Sequence, residues 1–356
     1  MKTVKRKLLM GAAAASVLAL SLTACSGGGT GSSDSLSDNE VPDVGLINEY
    51  VLPEVPETGE TYRASVFVAQ QEQGDAISFT EAMKAFGAEH GLEVDVYDAG
   101  GYAQIDKQIN QIQTAIATDP DILLVWATDP NAVVPVLEEA GKRGIPVINW
   151  VLNTAYEDAV TTINTDWVAE SKKLTTAIGE YLGGEGKLIT AYGGCGGEYQ
   201  RDLQTGSEEA AADMPGLEIA VAECPPDFDP SKVQTIVENG IAANPEINGV
   251  LTSVMSQSVG AVNAIRAAGA QDQVVVGSGI ITSCEDVDLI KSGQVPIVSG
   301  LPAAYIGELG ATIALRILAG EEVDELYSVP NNIYTAQNID DADLTYDLTP
   351  QFLEGC

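Results

Sequence analysis

Histidine is the scarcest reactive residue in this chain: among 356 residues there is only His90. A lone imidazole on a predicted helix reads as exposed and inert. No His-rich metal cluster, Cys-x-x-Cys, Gly-x-Ser-x-Gly or Walker loop occurs, so the usual signatures of metal, nucleophile and nucleotide sites are missing. The glycine-rich stretch GGCGGEYQRD (193–202) begins like a dinucleotide fingerprint at Gly194-x-Gly196, but Tyr199 stands at its last required position. Tight turning accounts for those glycines. Without a catalytic constellation or an implied cofactor, the chain reads as a non-enzyme. Basic residues are the second scarcity. Seventeen Lys and Arg face 52 Asp and Glu, a formal charge of −35, and such a field repels nucleic acid and anionic membrane surfaces. Solubility and adaptation to salty surroundings, where self-repulsion is screened, both fit this charge.

The N-terminal apolar segment, Leu8–Leu22, is also short. At about 15 residues it falls below the roughly 20 that a transmembrane helix needs. Lys2, Lys5, Arg6 and Lys7 precede it and small residues follow, the layout of an export signal over residues 1–24. LTAC at 22–25 resembles the bacterial lipobox, in which Cys25 becomes the first mature residue and carries lipid. The expectation is an extracytoplasmic protein anchored to the cell membrane, since multiple acyl chains make anchoring durable. Removing residues 1–24 takes away four basic residues and no acidic ones, leaving −39. Residues 25–62 read as a tether, Gly/Ser-rich at first and then an extended leader with Pro42, Pro53 and Pro56. Order is expected from about Arg63. Cys195, Cys224, Cys284 and Cys356 remain, an even number in a compartment that permits disulfides. Sequence alone leaves three pairings open.

From residue 64 the chain alternates short apolar runs with longer amphipathic ones. ASVFVA, LEVDVYDA, DILLVWAT, PVINWV and AVTTIN read as strands, followed by KLITAYG, LEIAVAEC, INGVLTSV, VVVGSGI and VPIVSGL. Their nearly continuous apolar character suits parallel strands covered on both faces. Helical spacing appears between them, as in Ile105, Ile109, Ile112 and Ile116 or Phe79, Met83 and Phe86. Asp129, Asp166 and Asp229 sit where helix N-caps are needed. Two such sets predict an α/β fold of two doubly wound parallel-sheet lobes, with ligands bound beyond the carboxyl ends of the strands.

Residues 98–150, DAGGYAQIDKQINQIQTAIATDPDILLVWATDPNAVVPVLEEAGKRGIPVINW, together with NTDW at 164–167 and IAANPEINGVLTSVMSQSVGAVNAIRAAG at 241–269, resemble type I periplasmic binding proteins of the ribose-binding-like group. The resemblance spans about residues 63–340. It implies two lobes joined by three crossovers, near 164–166, 278–282 and 299–302. The first lobe is then 63–164 plus 282–322 and the second 165–281 plus 323–356, with the strand at 295–299 assignable to either. It also implies ligand contacts from the loops after the strands: Gln70, Gln71, Asp75 and Phe79; Asn149 and Trp150; Tyr199 and Arg201; Ser253, Ser256 and Gln257; Ser278; and Leu301. Trp126 and Trp167 lie near strand ends or crossovers, and either can line the cleft. Sugar binders of the group place acids where this chain has Asn149 and Ser278, which points to a modified sugar, a polyol or another small polar or cationic solute. In such a fold Cys195 and Cys224 end neighbouring strands, so the implied pairing is Cys195–Cys224 with Cys284–Cys356. The implied function is a monomeric, lipid-anchored solute receptor for an ABC permease. A sensor presenting its ligand-bound form to a histidine kinase or chemoreceptor would use the same fold.

Overall fold

A computed structural model describes residues 36, 39, 42, 45–47, 49–71, 74–354 and 356. The export signal, Cys25 and part of the expected tether, most of its Gly/Ser-rich start included, lie outside the described residues.

The predicted alternation is present. In the first lobe it runs β1 (Tyr62–Val68), α1 (Gly74–His90), β2 (Leu92–Asp98), α2 (Ile105–Ile116), β3 (Ile122–Val125), α3 (Val134–Lys142), β4 (Val147–Val151) and β5 (Thr161–Asn164). The second lobe continues with α4 (Trp167–Tyr181), β6 (Glu185–Ala191), α5 (Glu198–Asp213), β7 (Gly216–Glu223), α6 (Pro230–Ala243), β8 (Gly249–Thr252) and α7 (Met255–Ala268). Then come β9 (Val275–Gly279), α8 (Glu285–Lys291), β10 (Ile297–Gly300), α9 (Ala303–Leu318), β11 (Leu326–Ser328), β12 (Asn332–Thr335) and the short α10 (Pro350–Leu353). One six-stranded sheet has the order β11-β5-β4-β3-β1-β2 and is wholly parallel. The other has the order β12-β10-β9-β8-β6-β7, and only the β10–β12 pair is antiparallel. All four residues of β3 are buried, as expected of a central strand with helices on both faces.

Local chemistry sets several boundaries. Asp166 caps α4 by accepting from the Ala169 amide at 3.0 Å, and Asp229 accepts from the Ser231 amide at 2.8 Å with Pro230 opening α6. Asp129 acts one step earlier than expected. Its carboxylate accepts from the Asn131 and Ala132 amides and shapes the turn before α3, whose N-cap is Val133. His90 stacks obliquely on Phe86, with centroids 4.5 Å apart, at the exposed end of α1.

Strand pairing revises the expected lobe boundaries. After β9 the chain stays in the second lobe: α8 supplies Val287 and Ile290 to that core, and β10 lies between β9 and β12. The return to the first lobe occurs at 300–303, where β10 gives way to α9, which packs on α1. The third crossing is the link from β11 to β12 rather than the stretch 278–282. The reason is that α8 completes one more β-α-β unit, which a right-handed crossover places beside β9.

The leader also differs from a free tether. Ile47 donates its amide to Asn332 Oδ1 at 2.7 Å, and Tyr50 donates its hydroxyl to the Pro330 carbonyl at 2.9 Å. Tyr305 and Arg316 of α9 hold the Val51 and Glu54 carbonyls. Leu52 and Val55 pack on the core. The chain is therefore laid down before β1 begins.

Candidate functional site

The carboxyl ends of both sheets face a shared cavity of about 30 Å³ as the lobes stand, room for about two waters. From the first lobe come Gln70 after β1, Asp75 and Phe79 on the opening turns of α1, Tyr102 after β2, Trp126 after β3, and Val151 and Leu152 at the end of β4. The second lobe contributes Trp167 at the start of α4, Tyr199 on α5, Phe228 before α6, Val254 after β8 and Ile280 after β9. Leu301 enters from the crossover behind β10.

The walls are mostly aromatic. Phe79 meets Trp126 edge-on with centroids 5.9 Å apart, and Trp167 meets Tyr199 edge-on at 4.7 Å. Trp126 donates its indole N–H to the Tyr102 oxygen at 3.2 Å. Tyr199 donates its hydroxyl to the Ser253 carbonyl at 3.0 Å, which fixes the ring. Two polar atoms are left over. Asp75 Oδ1 and Trp167 Nε1 are both buried without a hydrogen-bond partner. Burial pushes the Asp75 carboxyl up to about 7, against backbone hydrogen bonds that lower it, and Asp286 adds to the rise.

Gln70, Asp75, Phe79, Trp126, Trp167, Tyr199 and Leu301 of the expected residues line this cavity; the others do not. Gln71 turns its amide to Thr80. Asn149 is tied to Thr154 and Thr162. Trp150 is fully buried behind Phe79, its N–H toward the Ile306 carbonyl, because α9 covers that end of β4. Arg201 is exposed and donates to the Gly196 carbonyl at 2.6 Å. Ser253 accepts from the Gly193 amide and donates to Gln257 Oε1, so these two side chains bind each other and the backbone. Ser278 donates to the Gly279 carbonyl. The Ser256 hydroxyl is buried without a partner, yet it too lies outside the lining. Short polar side chains after strands thus serve the loops themselves.

Tyr102, Val151, Leu152, Phe228, Val254 and Ile280 were not among the residues expected. The available signal was an aromatic residue in a loop after a strand, as in DAGGY and PPDF.

A second cavity adjoins the first and shares Val151, Leu152 and Trp167 with it. Its rim carries Asp166, Glu198 and Asp202. Burial raises the Glu198 and Asp202 carboxyls, with each one's acidic neighbour adding to the rise and Arg201 opposing it. Among the described residues no group of three or more His, Cys, Asp or Glu is placed to hold a metal ion.

The structure brings Cys195 to Cys224 and Cys284 to Cys356 at disulfide distance, with Cα separations of 5.2 and 5.4 Å. The first pair joins the loops after β6 and β7; the second ties the C-terminal end to the start of α8.

Two doubly wound lobes sharing a cavity at their strand ends define a solute-binding protein. Residues 65–322 match the family described as "Periplasmic binding protein domain", and the chain belongs to that family. Ribose import binding protein RbsB of Salmonella typhimurium is 28% identical over 223 residues, covering 63% of this chain and 74% of that one. The xylitol-binding protein of Mycolicibacterium smegmatis is 23% identical over 334 residues, covering 92% and 85%. A carbohydrate transporter solute binding protein from Agrobacterium radiobacter, in complex with D-arabinose, shares the fold with a TM-score of 0.74 at 20% identity, covering 81% of this chain and 99% of that one. The chain is thus a periplasmic binding protein by family, a binding protein rather than an enzyme, with the extracytoplasmic location that family carries.

Proposed function

We propose that this protein is the lipid-anchored receptor of an ABC importer, holding one small solute between its lobes and presenting the solute-bound form to a permease. The observation that supports this most is the shared cavity, to which both lobes contribute aromatic side chains from their strand ends. Hinged lobes that meet around a solute bury it from both sides, and affinity then follows from contacts made only when the lobes meet. The three crossovers concentrate the connection at one edge, the geometry a hinge requires. Lipidation at Cys25, with residues 1–24 removed, would hold the receptor at the membrane. On this reading the receptor works as a monomer.

The test has two arms. Solute-dependent thermal stabilisation with the solute recovered unchanged supports a receptor, whereas conversion to product contradicts it. In the producing cell, the wild-type chain should fractionate with membranes and Cys25→Ala should not. Equal fractionation of the two overturns the anchor.

A further inference from the structure

The solute's chemistry can be narrowed from the cavity walls. We propose that the solute is a compact organic cation, a protonated amine or quaternary ammonium bearing one hydrogen-bond acceptor. This rests on the receptor reading above and deepens it.

A neutral polyol presents several hydroxyls, each needing a partner once buried. Here most polar side chains near the strand ends are already committed: Asn149 to Thr154 and Thr162, Ser253 to Gln257, Ser278 to its own loop. Within the lining, Trp126 and Tyr199 have also given away their hydrogens. The fully buried atoms still open are one acceptor, Asp75 Oδ1, and one donor, Trp167 Nε1; among the described residues the half-buried Gln70 amide is the one further polar side chain of the lining that no hydrogen bond holds. That buried pair asks for a solute with one positive end to face the carboxylate and one acceptor for the indole N–H.

The rest of the wall suits a cation's apolar shell. Aromatic faces attract cations through the ring quadrupole, more strongly when both are desolvated. Among the described residues no Lys or Arg lines the cavity, so nothing there repels positive charge. The adjoining cavity, which shares Trp167, presents Asp166, Glu198 and Asp202. A low-dielectric cleft lined by one sign of charge raises the local concentration of the opposite sign. The chain's net charge of −35 acts the same way at longer range.

Asp75 couples the site to pH. Burial favours its neutral form, and a bound cation favours its anion, so binding below about pH 7 displaces a proton. The ionisable groups facing it are Asp286 at α8, Tyr102 after β2 and Tyr199 on α5. Neither tyrosine ionises near neutrality because burial raises both.

The experiment is calorimetry and thermal shift on the purified full-length protein. The probes are choline, ethanolamine, 3,3-dimethyl-1-butanol (the uncharged shape match of choline), ribose and xylitol. At least one of the two cations should bind. If choline does, it should bind at least tenfold tighter than dimethylbutanol, with affinity falling about tenfold per pH unit below pH 7. Asp75→Asn should weaken the bound cation at least tenfold and flatten that dependence. If the variant does not fold, the wild-type pH profile with choline carries the same test. Equal affinity for choline and dimethylbutanol, or a pH-independent choline affinity, overturns the inference. Stabilisation by ribose or xylitol without either cation also overturns it and leaves the receptor reading standing. No stabilisation by any of the five overturns it and counts against the receptor reading as well.

Discussion

Gly74, at the start of α1 in the first lobe, lies against the Thr282 carbonyl of the second lobe so closely that an added Cβ would sit 1.8 Å from that oxygen. Only a hydrogen fits there, and a backbone carbonyl cannot rotate away as a side-chain tip can. Gly74→Ala should therefore keep the lobes from meeting without disturbing either core. Solute affinity is expected to fall at least tenfold, with the solute-free melting temperature nearly unchanged. Calorimetry with any stabilising solute checks this, and unchanged affinity would show that the lobes need not meet here.

The two cysteine pairs should contribute unequally. Residue separations of 29 and 72 close loops of different length, and the constraint on the unfolded chain grows slowly with that length. Loss of Cys284–Cys356 by double serine substitution should cost about 4 kcal/mol, slightly more than loss of Cys195–Cys224. Denaturant titration of both variants measures the difference. Non-reducing peptide mapping that finds free or crossed cysteines would contradict the pairing.

The fold was legible in the sequence wherever a segment buries itself. The Ile105 to Ile116 stripe and the run Ile122–Val125 carry their own periodicity. β11 and β12 do not, because edge strands of three and four residues exist only through pairing with β5 and β10. The lining of the candidate cavity was legible at Asp75, Phe79, Trp126 and Tyr199, which follow strands closely. Trp150 shares that position along the chain, but α9, some 150 residues later, covers it; no local pattern reveals that. Phe228 reaches the cavity through the loop between β7 and α6, whose path depends on the Cys195–Cys224 pair and the Asp227 turn.

Asp347 gives the stability a distinctive pH profile. It is buried, accepts a hydrogen bond from the Tyr334 hydroxyl at 2.7 Å, and burial pushes its carboxyl up to about 8. The folded protein therefore keeps this proton while the unfolded chain, with a carboxyl near 4, releases it. With more protons bound in the folded state, stability falls as pH rises from about 4 to about 8 and then levels off. Asp347→Asn should lose less stability than wild type over that range and melt higher at pH 8. Parallel melting curves at pH 5 and pH 8 decide it; identical slopes would place the ionised carboxylate in the folded state.

Tyr50 joins the leader to both lobes. Its ring lies 5.0 Å from Tyr305 of α9 and 5.1 Å from Tyr346 of the C-terminal segment. Tyr50→Ala should cost about 2 kcal/mol through lost ring packing, less than a fully buried aromatic would. It should also expose residues 45–56 to protease ahead of global unfolding. A variant as stable and as resistant as wild type would mean that the leader merely rests on the surface.

The most direct measurement is small-angle scattering of the purified protein with and without a saturating solute whose binding calorimetry has established. Lobes that come together on a guest must give a smaller radius of gyration when it is bound, with the shift absent in Gly74→Ala. An unchanged radius in the wild-type protein would contradict enclosure between moving lobes.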